Sequence, residues 1–143
     1  MGKFITELKV KQVSEATYKD NAIWELTDPL IYQSEKIGMV IVDSGKKTNF
    51  TTVPRVPVLY LFAGGRNNAP GALHDELYSK GHDTGRSLIV TRLQADNLLF
   101  ESTVDSFPYD GYSLKSIFMR ILSYPLAAVS WLFVRLFGWA YWR

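Results

Sequence analysis

The hydrophobic pattern changes period once along this chain, and that change limits the available folds more than any other feature. Up to about residue 42, apolar and polar residues alternate: Leu8 and Val10 stand against Glu7, Lys9 and Lys11, and Trp24 and Leu26 against Glu25 and Thr27. Successive strand side chains point to opposite faces, so a period of two marks strands with one buried face. We expect antiparallel strands at 4–11, 22–27, 30–33 and 37–42, joined by short polar runs into a small meander. Asp43 to Pro57 reads as a loop, because Gly45, Pro54 and Pro57 punctuate it and proline lacks the N–H a central strand needs. A short apolar run, Val58 to Phe62, follows.

Beyond Gly64 and Gly65 the spacing turns helical. Pro70 suits a first helical turn, Leu73 and Leu77 lie four apart, and Gly81 can take the left-handed position past the end, which predicts a helix over 70–80. Thr91 and Gln94 fit a capping box, in which each side chain satisfies a free amide at the helix start, so a second helix is expected at 92–104. Ser113 can cap a third at 114–123, and Pro125 can open a fourth that runs to Trp142. Strands first and helices after predict an α+β fold. Its small N-terminal antiparallel sheet would occupy 1–62, and its C-terminal helical half, of about four helices, 66–143. A chain of 143 residues falls within the size of one domain, so one domain over 1–143 is expected.

Composition narrows the function classes. With 47% hydrophobic and 21% charged residues the chain is globular. The absence of cysteine excludes disulfides, thiolate metal sites and a cysteine nucleophile. A net charge of +2, with Lys and Arg scattered, argues against a nucleic-acid partner. Met1 to Val13 contains Lys3, Glu7, Lys9 and Lys11 and has no uninterrupted apolar core, so no secretory signal is read there. All 14 acidic residues precede position 111, whereas Lys115, Arg120, Arg135 and Arg143 follow it. The last quarter is therefore cationic and apolar.

One stretch carries chemistry. In His74-Asp75-Glu76-Leu77-Tyr78, the helical period places His74 and Tyr78 on one face and turns Asp75 about 100° away. Asp96 lies on the next helix, which must run back antiparallel if the connection is compact, and so can face His74. A neutral imidazole with its tautomer fixed by a carboxylate can take a proton from water, and a nearby cation can polarise an ester carbonyl. Gly64, Gly65 and Gly71 could offer backbone carbonyls to such a cation beside Asp75. The plainer alternative is that His74 and Asp96 satisfy each other between packed helices. His82 and Asp83 repeat the dipeptide, but His74 and His82 are eight apart across a helix end, which fits no usual zinc spacing. Neither a phosphate-binding Gly-rich loop nor a Gly-x-Ser-x-Gly elbow occurs.

Four ordered motifs resemble a known family. Thr48-Asn49-Phe50-Thr51-Thr52-Val53-Pro54-Arg55, Ala72-Leu73-His74-Asp75-Glu76-Leu77-Tyr78, Arg92 with Ala95-Asp96 and Phe100, and Val134-Arg135-Leu136-Phe137-Gly138-Trp139 are similar to the phage-borne domain of unknown function 1353 over roughly 24–142. Where that family commonly has Asp after Thr, this chain has Asn49. The resemblance implies a phage or prophage origin and no settled activity. A second, local likeness joins His-Asp-x-x-Tyr and the later Ala-Asp to phospholipase A2, particularly the cysteine-free versions in some viral capsid proteins. By that likeness His74 activates water, Asp96 orients it, Tyr78 bonds to Asp96, and Asp75 ligates Ca²⁺ with Gly64 and Gly65 as an approximate calcium loop. Arg55 and Arg92 are candidates for a lipid phosphate or for structural tethers.

At the C-terminal end, Ile121 to Val134 is fourteen residues without charge, shorter than the roughly 20 needed to cross a bilayer, and Pro125 divides the run. Two uses remain: packing on the strands as core, or an aromatic face at a lipid interface. The leading expectation is a phage-encoded accessory protein with a His/Asp, metal-assisted hydrolase site acting on host-envelope lipid esters. The alternatives are a non-enzymatic virion or tail component docking through its aromatic C-terminal helix, and a lysis-module membrane effector. The expected partners are other virion proteins or host membrane lipid, and the expected location is the virion or the host cell envelope.

Overall fold

A computed structural model describes residues 2–15, 23–48, 68–79, 91–107 and 110–140. Six short strands come first: β1 (Lys3–Phe4), β2 (Val10–Ser14), β3 (Ile23–Leu26), β4 (Leu30–Ser34), β5 (Gly38–Val42) and β6 (Lys47–Thr48). Three helices follow, α1 (Asn68–Ser79), α2 (Arg92–Asp105) and α3 (Leu114–Phe137), and a 3₁₀ turn at Gly138–Ala140 ends the described chain.

The strands form two antiparallel three-stranded sheets instead of one meander, in the orders β1-β4-β5 and β2-β3-β6. The predicted strand at 4–11 is accordingly two strands. Between them the chain leaves the first sheet as Thr6 Oγ1 accepts from the Ile31 amide and donates to the Pro29 carbonyl, both at 2.9 Å. The β4–β5 hairpin keeps strict register from Leu30 opposite Val42 to Ser34 opposite Gly38, and Gly38 takes φ +86° where the turn re-enters the strand. Along this pair Leu30, Tyr32, Val40 and Val42 alternate inward and are fully buried. The stretch expected to be a loop contains β6, whose Thr48 pairs with Trp24.

Leu73, Leu77, Ala95 and Leu98 meet this sheet face in one core cluster. Apart from Ala69 and Asp75, the described side chains of α1 are buried, so α1 is a central helix whose polar groups must find partners inside the protein. The capping box at the start of α2 is present as expected: Thr91 Oγ1 accepts from the Gln94 amide and Gln94 returns the bond to the Thr91 amide. Ser113 caps α3, and Asp110 supports it by accepting from the Ser116 hydroxyl and the Ser113 and Tyr112 amides. Those bonds hold the Asp110 carboxyl well below the usual carboxylate range.

Among its described residues the helical half has three helices, because Pro125 does not open a fourth and lies inside the continuous 24-residue α3. A stripe of Ser123, Leu126, Ala127, Ser130 and Val134 is buried across the proline. Continuous packing thus overrides a residue that removes one helical hydrogen bond. This stripe faces α2, not the strands, and Trp131 Nε1 donates to Asn97 Oδ1 at 2.9 Å across the contact.

Candidate functional site

Three helices converge on Asp96. It sits in the second turn of α2 with no exposed surface, and His74 on α1 is equally buried. His74 Nε2 lies 3.1 Å from Asp96 Oδ1. Tyr78, one turn along α1, donates its hydroxyl to the same oxygen at 2.5 Å and stacks against the His74 ring with centroids 4.1 Å apart. From α3, Arg135 Nη1 donates to Asp96 Oδ2 at 2.9 Å. The three groups placed together by sequence spacing are thus together in space.

Burial alone would raise the Asp96 pKa, but the bonds from His74, Tyr78 and Arg135 outweigh it and hold the carboxyl below its ordinary value. Asp96 is therefore a carboxylate, and Nε2 of His74 must carry the proton that faces it. The other ring nitrogen, His74 Nδ1, is buried without a hydrogen-bond partner among the described residues. Burial, followed by the bond to Asp96, pushes the Tyr78 hydroxyl up and keeps it a donor.

Arg92 is spent on structure. Its Nη2 donates to the carbonyls of Val134 and Arg135 at 2.8 and 2.7 Å, in the last turn of α3. Its Nε donates to Tyr78 Oη at 3.3 Å. Gly138 passes so close that a Cβ there would stand 2.8 Å from the same Tyr78 oxygen. The end of α3 is thereby fastened to the His74–Asp96 pair.

Asp75 points away from the pair, as its turn on the helix requires, and its Oδ2 accepts the Thr48 hydroxyl of β6 at 2.8 Å. Calcium takes six to eight oxygens. Among the described residues no group of three His, Asp or Glu side chains could hold a metal, and Asp75 accepts the Thr48 hydroxyl. Gly64, Gly65, Arg55, Asn49, His82 and Asp83 lie outside the described residues.

Sequence reasoning missed three members of this region. Arg135 lies 39 positions from Asp96, and no local spacing signals the contact. Lys46 Nζ pairs with the buried Glu76 at 3.1 Å, and Thr48 meets Asp75; both partners come from a stretch expected to be loop. A buried Glu four positions after Ala72 on the core face of α1 was the available hint.

The family model for proteins of unknown function, DUF1353, matches residues 24–108. The chain belongs to this family. The DUF1353 match runs from β3 through α2 and contains His74, Asp75, Tyr78, Arg92 and Asp96. It ends before α3, so Arg135 and the Val134–Trp139 motif of this DUF1353 protein lie beyond it. No curated protein and no solved structure matches the chain.

Proposed function

We propose that this DUF1353 protein is a phage-encoded hydrolase of lipid esters, with His74 as general base, Asp96 and Tyr78 as its positioning partners, and host-envelope lipid as substrate. The observation that carries the reading is His74 Nδ1, a buried ring nitrogen with no partner among the described residues, on a ring whose other nitrogen is held against a carboxylate. An unsatisfied buried polar atom costs about 1–3 kcal/mol, and such sites are retained where chemistry uses them. The local likeness to phospholipase A2 assigns the same roles to the same residues.

The reaction requires an opening beside the fully buried His74, through which water delivers a proton to Nδ1 as its oxygen bonds to the ester carbonyl carbon. Asp96 stabilises the imidazolium that forms, with Tyr78 and Arg135 keeping the carboxylate in place. Nδ1 then returns the proton to the departing alkoxide as the carbon–oxygen bond breaks, giving a free fatty acid and an alcohol. The calcium expected beside Asp75 is tested as an arm of the assay, and Gly64 and Gly65, which that expectation joins to it, lie outside the described residues.

A second reading rests on the full burial of His74 and Asp96. In it the cluster is a polar tie between three helices and the protein is a virion or tail component. Fatty-acid release from mixed phospholipid vesicles, with and without Ca²⁺, separates the two. The hydrolase releases fatty acid and His74→Ala does not, at a temperature where both are folded. No release by the wild type on any lipid, with His74→Ala merely lowering the melting temperature, leaves the structural tie.

A further inference from the structure

The helix α3 has two apolar sides, and only one is covered. Opposite the buried stripe that packs on α2, Leu114, Phe118, Ile121, Val129, Leu132 and Leu136 form a second stripe open to solvent, with Phe118 59% and Leu132 52% exposed. At 100° per residue these positions fall within one narrow sector. The helix has a mean hydropathy of 1.7 over its most apolar 18 residues, and only 28% of that window is buried, unlike the core helix of a soluble protein.

We propose that this outer face is a membrane-docking surface, on which α3 lies in the plane of a lipid bilayer with the stripe immersed at the boundary of headgroups and acyl chains. Its inner side is committed: Arg135 is bound to Asp96, Arg120 lies 3.8 Å from Asp105, and Trp131 is bonded to Asn97. Lipid therefore meets the helix from one side, which gives a helix lying on the membrane and not crossing it. Residues 111–143 contain no acid, so nothing in this segment repels an anionic surface. The exposed Trp139 at the end of α3 suits the headgroup level. The stripe carries no polar side chain with which a protein partner could fix register.

The inward pairing of Arg120 and Arg135 also sets the character of the attachment. Both guanidinium groups answer carboxylates of α2, so the exposed Lys115 is the charge that α3 offers to headgroups among its described residues. Apolar immersion dominates, and attraction of basic side chains to anionic lipid does not. The face is distinct from the His74 site, and its docking stands whether or not that site hydrolyses esters.

Flotation of the full chain with phosphatidylcholine vesicles, alone and mixed with phosphatidylglycerol, tests this without reference to catalysis. The wild type floats with both, and high salt weakens it no more than about fivefold, the contribution of one lysine near a charged surface. The variant carrying Phe118→Glu and Leu132→Glu, at positions already in solvent, keeps its melting temperature and floats at least about tenfold less. A wild type that stays at the bottom of the gradient overturns the proposal, as does a double variant that floats equally well. So does flotation confined to phosphatidylglycerol vesicles and abolished by salt. A wild-type dimer in light scattering that the double variant converts to monomer assigns the face to a second copy and overturns it too.

Discussion

At Asp96, burial and hydrogen bonding pull in opposite directions, and the outcome sets both its charge and its stabilising role. Replacing it with alanine leaves Arg135, the Tyr78 hydroxyl and His74 Nε2 facing an empty acceptor position. Breaking a buried charge pair by removing one partner costs about 3–5 kcal/mol, and partial exposure of Arg135 places Asp96→Ala near about 3 kcal/mol in a urea titration. The pH dependence follows in sign. The folded-state pKa is depressed, so the stability contributed by Asp96 is present above the ordinary carboxylate value of about 4 and is lost as pH falls through the folded value. Asp96→Asn should flatten that acid limb. His74, Tyr78 and Asp96 were legible because helical spacing and an antiparallel return are local rules, whereas Arg135 was not, because its reach depends on how α3 lies across α2.

Among the elements, the helix starts were the most readable, since Thr91 with Gln94 and Ser113 are chemical caps whose bonds form within one turn. The continuation of α3 through Pro125 was not readable. Local propensity ends a helix there, and only the buried stripe from Ser123 to Val134 shows why it goes on. Proline inside a helix costs about 3 kcal/mol, and Pro125 is exposed, so Pro125→Ala should stabilise the protein by about 1–3 kcal/mol and raise its melting temperature. An unchanged or lower melting temperature would mean that a proline at this position is needed for α3 to lie along α2. The division of residues 4–11 between two sheets was hidden for a related reason. Alternation reports which side chains are buried, not which sheet receives them.

Over the whole molecule, the strands came before the helices as patterning required, and the hydrophobic core forms where the β4–β5 face meets α1 and α2. What patterning left open was the third layer. Helix α3 adds little to that core; it lies along α2, closes the His74 region through Arg135 and Gly138, and turns an apolar face outward. Because α1, α2 and α3 all meet at one imidazole–carboxylate pair, the protonation of that ring reports the arrangement as a whole. The direct measurement is the ¹⁵N chemical shift of both ring nitrogens of His74 in the folded protein at neutral pH. We predict a proton on Nε2, held by Asp96, and an unprotonated Nδ1. A proton on Nδ1, whether in the other tautomer or in an imidazolium, would contradict a general base at this position and leave the cluster as a tie between helices.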